Sequence, residues 1–442
     1  MTITVFGLGF VGLTTSLGFA EYGHTVYGVE INDERLATIK GGQLPFLEPG
    51  LDEALVRHLG KRFLPIGIND LAEAVKQSDC VYYCVGTPYG KDGQADLTYL
   101  FSAIDQTLSV RPADKYQVLV VKSTIPPSTT SQKIIPYLEG KGLNVGQDLG
   151  VANNPEFLRE GHCWDDFIKA DRIVLGVSDE RSAEVLRKVY ATIQEPIHCV
   201  SLNTGEFIKY LSNTLLATLI SYSNEMSLVA DTIGGIDVAA AFRILHEDKR
   251  WGGATMASYV YPGCGYGGYC LPKDTNALYA VSNTTGFDAQ ILKNVISTND
   301  QMPAQIAKKV SRVVGTDKQR SIGILGLSFK PGSDDVRDTP SAKIIRELRL
   351  LGYTNITGYD PVAKKEFERY YSDLAIGYAN SYDELIRQAC RTGREECGES
   401  YGATGAAAGQ RGWPSPRPAR ERPHRRPPAE RRAPSAAEAV RS

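Results

Sequence analysis

The sequence has few of the features that mark secreted, membrane-embedded or metal-binding proteins. Its eight cysteines are scattered without a C-x-x-C pair, which argues against a zinc site or a disulfide scaffold and favours reduced thiols in the cytoplasm. No apolar run approaches the roughly 18 residues of a membrane span, and the N-terminus lacks the basic region of a signal peptide. The net charge of -2 gives no indication of a nucleic-acid or membrane partner.

The chain does have the length and composition of a large globular protein. Its 442 residues exceed one ordinary core and predict two or three domains. Hydrophobic residues make up 42% and charged residues 23%, as in soluble proteins. We therefore expect a soluble protein of several domains.

Residues 1–30 combine a strand, a glycine motif and an acidic residue. Thr2 to Phe6 is a short apolar strand, followed by G-x-G-x-x-G and an apolar, helix-like stretch. The glycines would make a tight turn, admit a pyrophosphate and let the helix pack on the strand. Glu30 ends the next strand, where it would bind ribose hydroxyls and repel a 2′-phosphate, so NAD is expected rather than NADP. A plain glycine-rich turn is the alternative.

Two later strands of buried type end in threonines. Val81 to Val85 runs into Thr87, and Val118 to Val121 runs into Thr124. Ligands of open α/β sheets bind beyond the carboxyl ends of the strands. Both threonines are therefore candidates for the ligand site, with ordinary strand-ending threonines as the alternative.

Polar residues suited to chemistry follow in two further segments. Glu156 and Glu160 would share a face if their segment were helical, and two close carboxylates can have their pKa values driven apart. Gly205 to about Gly234 is predicted as one long helix, on which Lys209 and Asn213 share a face. The alternatives are a solvated acidic turn and a solvated helix surface.

Residues 259–274 form a glycine-rich loop that contains a cysteine near its end. Glycines let the backbone approach a ligand closely and present amide groups to phosphate oxygens. Cys270 is followed by Lys273 and Asp274, and a nearby cation lowers the pKa of a thiol and makes it a better nucleophile. The loop predicts a nucleophilic Cys270, with an inert, buried cysteine as the alternative.

Residues 265–275, Gly-Tyr-Gly-Gly-Tyr-Cys-Leu-Pro-Lys-Asp-Thr, resemble the catalytic-cysteine signature of the UDP-glucose/GDP-mannose dehydrogenase family. Their form is most similar to that of the family's UDP-glucose 6-dehydrogenases, and the resemblance spans residues 1–387. It implies oxidation of the C6 alcohol of UDP-glucose to a carboxylate by two NAD⁺, in a homodimer. Oxidation of GDP-mannose or a UDP-N-acetylhexosamine is one alternative, and an inactive NAD- or sugar-binding protein is another.

The resemblance also implies roles for individual residues. Cys270 would attack the aldehyde to give a thiohemiacetal and then a thioester, with Lys209 and Asn213 stabilising the oxygen anion. The residues implied to assist hydrolysis are Glu160, Asp274 and Thr124. The residues implied to bind NAD are Gly7, Gly9, Phe10, Val11, Gly12, Glu30, Arg35, Thr87, Thr124, Glu160, Lys273 and Arg337. The residues implied to bind the nucleotide sugar are Glu156, Phe157, Leu158, Lys209, Asn213, Arg250, Tyr259, Tyr261, Gly263, Gly265 and Lys330.

These observations together predict an α/β protein with two Rossmann-like, doubly wound domains joined by a long central helix. We place the NAD-binding domain at residues 1–200, the helical connector with the cysteine loop at 201–300 and a partial UDP-sugar-binding domain at 315–387. The family pattern should then continue with another strand and helix, but a Pro/Arg/Ala-rich stretch occupies 388–442. Such a composition cannot bury an apolar core, so we expect a disordered tail and an incomplete second domain.

Overall fold

A computed structural model describes residues 1–88, 95–248 and 260–390. The predictions for Arg250, Tyr259 and nearly all of the 388–442 tail fall outside these ranges. The described residues form an α/β protein with two mainly parallel sheets, which confirms the expected fold class. Within these ranges no helix is both long and apolar enough to cross a membrane.

The larger sheet builds the N-terminal domain. Its strands are β1 (Thr2–Phe6), β2 (Thr25–Val29), β3 (Phe63–Ile66), β4 (Cys80–Tyr83), β5 (Val118–Val121), β6 (Gly150–Asn153), β7 (Ile173–Val177) and β8 (Ile197–Val200). Their spatial order is β3-β2-β1-β4-β5-β6-β7-β8. Because β1 lies between β2 and β4, the strand order reverses there, and a crevice for a ligand forms at such a reversal.

Both faces of this sheet are buried under helices. Cys80 and Tyr82 pack in one hydrophobic cluster, whereas Val81 and Tyr83 pack in the cluster on the other face, as the alternation along a strand requires. The α-helices of the described residues are α1 (Phe10–Glu21), α2 (Asp33–Lys40), α3 (Leu51–His58), α4 (Leu71–Gln77), α5 (Thr98–Val110), α6 (Ile135–Gly140), α7 (Cys163–Ile168), α8 (Glu180–Val189), α9 (Leu202–Ile233), α10 (Val238–His246), α11 (Cys270–Thr284), α12 (Gln290–Val314), α13 (Pro340–Leu350), α14 (Lys364–Tyr370) and α15 (Tyr382–Cys390).

Helix α9 is the long helix that the sequence predicts. It begins after Ser201, whose hydroxyl accepts a hydrogen bond from the Thr204 amide at 3.3 Å, and it ends at Gly234, whose φ is +79°. At Gly205 the helix touches the sheet so closely that a Cβ would lie 2.9 Å from the Cα of Gly176. The helix is therefore fixed against β7, with Lys209 and Asn213 one and two turns further along.

The second sheet forms a smaller C-terminal unit. Its three strands are β9 (Ile322–Leu325), β10 (Ile356–Tyr359) and β11 (Gly377–Tyr378), parallel and in the order β11-β10-β9. This unit touches the cysteine loop, because a Cβ on Gly267 would lie 2.4 Å from the carbonyl oxygen of Asp338, and one on Gly268 would lie 2.8 Å from the ring of Phe329. Side chains of the C-terminal unit consequently reach the site that this loop builds.

Candidate active site

The glycine motif adopts the turn that its sequence predicts. Gly7 has a φ of +84°, a conformation that favours glycine, and a Cβ on Gly12 would lie only 1.7 Å from the carbonyl oxygen of Gly7. A Cβ on Gly9, in contrast, would meet no atom within 4 Å. Gly7 and Gly12 thus close the strand–helix turn, while the backbone at Gly9 stays accessible to a pyrophosphate at the start of α1.

Glu30 is fixed at the end of β2 by four donors. One carboxylate oxygen accepts the amides of Ile31 and Asn32, both at 2.9 Å, and the other accepts the Leu8 amide at 3.1 Å and the guanidinium of Arg35 at 3.2 Å. Because Leu8 belongs to the glycine turn, this carboxylate lies beside the crevice. The residues present fit an NAD-binding site.

Cofactor choice should follow Glu30. We expect kcat/KM with NAD to exceed that with NADP by at least about 100-fold, because like charges facing each other across an interface cost several kcal/mol. Glu30→Ala should narrow the ratio by removing the repulsion and releasing the Arg35 guanidinium for a 2′-phosphate. Glu34→Ala, at an exposed position of α2, is the matched control. Comparable kcat/KM values of the unaltered chain with both cofactors would contradict this assignment.

The two strand-ending threonines lie together. The Thr87 hydroxyl donates a hydrogen bond to the backbone carbonyl of Thr124 at 2.8 Å, which joins the segments after β4 and β5. Thr87 is buried and Thr124 is half-buried. Both therefore lie at the carboxyl edge of the sheet, where the strand pattern predicts them.

A cavity of about 910 Å³ lies between this edge, α9, the cysteine loop and the C-terminal unit. The residues with predicted roles that line it are Phe10, Val11, Glu156, Phe157, Leu158, Glu160, Lys209, Asn213, Gly265, Cys270 and Lys330. Residues separated by more than 200 positions in the chain thus meet around a single space large enough for a sizeable ligand.

Glu156 and Lys209 form a buried ion pair across the cavity wall. The carboxylate and ammonium lie 2.9 Å apart, and each side chain is at most 7% exposed. Burial raises the pKa of Glu156, but Lys209, the Leu158 amide and Lys122 together outweigh that effect, and the net pKa lies below its ordinary value. The possibility of a shared helical face with Glu160 is wrong, because residues 154–159 follow β6 as an irregular segment. Lys209 is not a solvated surface lysine.

Glu160 faces the C-terminal unit instead. Its carboxylate lies 3.4 Å from the Ser333 hydroxyl and 3.7 Å from the guanidinium of Arg337. Burial and the negative charge of Asp335 raise the pKa of Glu160 to about 7, against the opposing charges of Lys330 and Arg337. A carboxyl group with this pKa can carry or release a proton at neutral pH.

Cys270 starts α11, and its side chain is exposed to the cavity. The protein around the thiol excludes water from it and thereby raises its pKa to about 12. Lys209 is the largest opposing influence and Lys273 is a minor one. Lys273 thus lowers this pKa as expected, but its effect is small and the net pKa is raised. The Lys273 ammonium is buried against Asp274, at 2.5 Å, and is largely neutralised there.

Asn213 and Asp274 connect α9 to α11. The Asn213 amide donates to the Asp274 carboxylate at 2.6 Å, and the other oxygen of that carboxylate accepts from Lys273. Asn213 is buried, as Lys209 is, on the inner face of the helix. The predicted pairing of an ammonium and an amide donor on one helical face is found in the fold.

Several predicted binding residues lie elsewhere or have protein partners. Arg337 pairs with Asp335 at 2.6 Å and lies over the ring of Tyr269, 4.7 Å from its centroid. Tyr261 and Gly263 do not line the described cavity; the Gly263 amide donates instead to Asn224 at 2.7 Å. Tyr261 and Gly263 thus lie outside the cavity lining, whereas Arg337 contacts Tyr269 at the edge of the cavity.

Sequence reasoning missed one cavity residue with unusual chemistry, Lys122. It directly follows β5, is 4% exposed, and donates to Asn154. The available signal was its place at the carboxyl end of a buried strand, two residues before Thr124.

Three family models match the chain in order. The NAD binding domain of the UDP-glucose/GDP-mannose dehydrogenase family matches residues 1–194, its central domain matches 203–301, and its UDP binding domain matches 323–390. The matched segments follow the sheet of β1–β8, the α9 and cysteine-loop region, and the unit of β9–β11.

Individual proteins support the same comparison. The chain is 35% identical over 387 residues to UDP-glucose 6-dehydrogenase YwqF of Bacillus subtilis, covering 88% of this chain and 85% of that protein. A UDP-glucose dehydrogenase structure from Pyrobaculum islandicum is similar with a TM-score of 0.80 and 35% identity, covering 88% of each chain. A UDP-D-ManNAc dehydrogenase structure from Pyrococcus horikoshii gives a TM-score of 0.75 at 27% identity, covering 88% of this chain and 87% of that one.

Proposed function

Since this chain belongs to the UDP-glucose/GDP-mannose dehydrogenase family, we propose that it oxidises UDP-glucose to UDP-glucuronate through a covalent intermediate on Cys270. NAD-dependent oxidation of a nucleotide sugar is the activity common to the family. One observation carries the finer proposal: Cys270, Lys209 and Glu160 line the same cavity. UDP-glucose is favoured by the relatives in Bacillus subtilis and Pyrobaculum islandicum, whose names state that substrate.

The residues divide the proposed reaction between them. NAD held at the glycine turn and Glu30 would supply the hydride acceptor for both oxidations. After the first, the Cys270 sulfur bonds to the aldehyde carbon, its proton is released, and the carbonyl electron pair moves to oxygen. Lys209, with Asn213 one turn further along α9, stabilises that oxygen anion. After the second oxidation the thioester is opened by water, which leaves the carboxylate and restores the thiol.

Glu160 is the base that we propose for hydrolysis, with Thr124 and Asp274 in supporting positions. Its carboxyl contacts the Ser333 hydroxyl, and the raised pKa of about 7 makes the carboxylate a stronger base that is still partly charged near neutrality. Asp274 already accepts hydrogen bonds from Asn213 and Lys273, so it is better placed to orient those groups than to take a proton.

Turnover should consequently depend on the ionisation of Glu160. As pH rises through about 7 the carboxyl loses its proton, so this group should make kcat increase about tenfold per pH unit below that value and should add no further increase above it. Glu160→Gln should abolish this limb and lower kcat by about 10²-fold or more. Glu139→Gln, at an exposed position of α6, should leave the profile intact. An unchanged acid limb in Glu160→Gln would assign the base to another residue.

The test of the proposed function is NADH production by the purified chain with three nucleotide sugars. UDP-glucose, GDP-mannose and UDP-N-acetylmannosamine are compared, and two NADH per sugar are expected from UDP-glucose at the highest kcat/KM. A higher kcat/KM with another sugar would correct the substrate. Binding of NAD and sugar without NADH formation would instead favour an inactive binding protein.

We also propose a homodimer formed through α9. One side of this helix exposes apolar side chains, each between 44% and 53% accessible: Phe207, Leu211, Leu215, Tyr222 and Val229. Spacings of four and seven residues place them along one stripe, and exposed apolar stripes of this kind mark association surfaces. Leu215→Glu should convert the chain to a monomer in analytical ultracentrifugation. A monomeric unaltered chain would refute the assembly.

A further inference from the structure

Lys122 is a buried lysine that the reaction proposed above does not use. It lines the same cavity as Glu156, Lys209 and Cys270. Its ammonium donates to the side-chain oxygen of Asn154 at 3.0 Å and, more weakly, to the backbone oxygen of that residue at 3.4 Å. An ammonium group has three donors, so one N–H is left over after these two bonds.

The position of this ammonium is fixed by its neighbours. The Asn154 amide donates to the carbonyl of Val174 at 2.8 Å, and the Tyr190 hydroxyl donates to the Asn154 side-chain oxygen at 2.5 Å. These two bonds determine which end of the amide faces Lys122. The Lys122 ammonium is therefore held at the cavity wall by the Asn154 side-chain oxygen, whose orientation is fixed.

The charges around Lys122 are unbalanced. Its facing titratable groups are Cys84 after β4, Glu156 after β6 and Lys209 on α9. Among the described residues no carboxylate makes an ion pair with Lys122, because Glu156 is committed to Lys209 at 2.9 Å. Burial lowers the pKa of Lys122 to about 8; Cys84 and Glu156 oppose that decrease, and the neighbouring Lys209 adds to it. Lys122 and Lys209 thus share the nearby Glu156 carboxylate, and because a buried cation without an ion pair of its own is costly, a negative charge on a ligand at this place would be stabilised.

We propose that Lys122 is a second cation, beside Lys209, for the negative charge that develops on the oxygens of the sugar's reacting carbon. This inference rests on the proposed oxidation of an alcohol to a carboxylate. The reacting group enters neutral, passes through an oxygen anion when the sulfur adds, and leaves as a carboxylate. A surplus positive charge favours the anion and the product over the alcohol, and so acts mainly on the rate of the chemical steps.

Calorimetric binding tests the inference without turnover. UDP-glucose and UDP-glucuronate are titrated into the unaltered chain, Lys122→Met and Lys122→Arg at pH 7. Lys122→Met should weaken UDP-glucuronate about tenfold and change UDP-glucose less than about twofold, while Lys122→Arg should retain most of the preference, since charged hydrogen bonds are the stronger ones. Lys188→Met, at an exposed position in the last turn of α8 and outside the cavity lining, is the matched control and should change neither.

Equal losses for both ligands in Lys122→Met would overturn the inference, because a merely structural lysine would not distinguish an alcohol from a carboxylate. That result leaves the proposed function standing. Failure of the unaltered chain to bind either nucleotide sugar would refute the proposed function and this inference together.

Turnover adds a second readout. kcat of Lys122→Met should fall about 10²-fold with KM nearly unchanged. The unaltered chain should lose activity above about pH 8 as Lys122 loses its proton, whereas Lys122→Arg stays charged and should remain active there. If Lys122→Arg still lost activity above about pH 8, the proposed role of Lys122 would be overturned. The loss would then belong to another group, such as Lys330, whose pKa is also lowered by burial.

Discussion

Cys270→Ser should reduce formation of the sugar carboxylate on the order of 10³-fold or more, while NAD and sugar binding stay nearly unchanged. The thiol is exposed in the cavity, but its pKa of about 12 means that it is protonated at neutral pH. The sulfur must therefore lose its proton as it adds, and an alcohol oxygen does so far less readily. The serine chain could still deliver the first hydride, so single-turnover NADH release should stop near one equivalent per site.

Two other cysteines control for the loss of a thiol. Cys264 is partly buried against the C-terminal unit, and Cys199 is exposed on β8. Both serine variants should form the carboxylate, and mass spectrometry should find the sugar adduct on Cys270 alone. Normal turnover by Cys270→Ser together with an inactive Cys264→Ser would transfer the nucleophile to the other cysteine.

Lys209→Met should have the second-largest effect, on both stability and rate. Methionine keeps most of the aliphatic stem but leaves Glu156 as a buried charge without its partner, which costs about 3 to 5 kcal/mol of unfolding free energy. The oxygen anion also loses its nearest cation on α9, so kcat should fall by about 10²- to 10³-fold. Denaturant unfolding and steady-state kinetics measure the two effects separately.

The double variant Lys209→Met with Glu156→Gln separates stability from catalysis. The glutamine removes the uncompensated charge and can still accept the Leu158 amide, which donates to Glu156 at 2.6 Å. Most of the lost stability should return, because removing both charges of a buried pair is often nearly neutral. Activity should stay low. Recovery of activity together with stability would mean that Lys209 only holds the fold.

The sequence predicted the features that depend on local pattern. The glycine turn and α9 are defined by residues close together in the chain. Spacing alone therefore predicted the turn at Gly7, Gly9 and Gly12 and the shared face of Lys209 and Asn213. The same local signals predicted the NAD-binding domain and the α/β fold, and both predictions are confirmed.

The pairing of charges could not be predicted, because each partner comes from a distant segment. Glu160 meets Ser333 across 173 positions, and Glu156 finds its cation on α9 and not in its own loop. Pro155, directly before Glu156, has no amide hydrogen and disfavours a helix there. Lys273 was expected to activate Cys270, but it lowers the pKa of the thiol only slightly, since its ammonium pairs with the adjacent Asp274.

The close contact between the cysteine loop and the C-terminal unit has a consequence for biosynthesis. Gly267 and Gly268 touch Asp338 and Phe329, and the Gly268 amide donates to the carbonyl of Arg337 at 3.1 Å. Domains fold in order as they leave the ribosome, so the NAD crevice can form long before these late residues have been translated. A nascent chain arrested near residue 315 should retain NAD yet show slow, unselective alkylation of Cys270. Synthesis of the remaining residues should bring Cys270 into its final position. Catalytic activity should therefore be the last property to appear as the chain is synthesised.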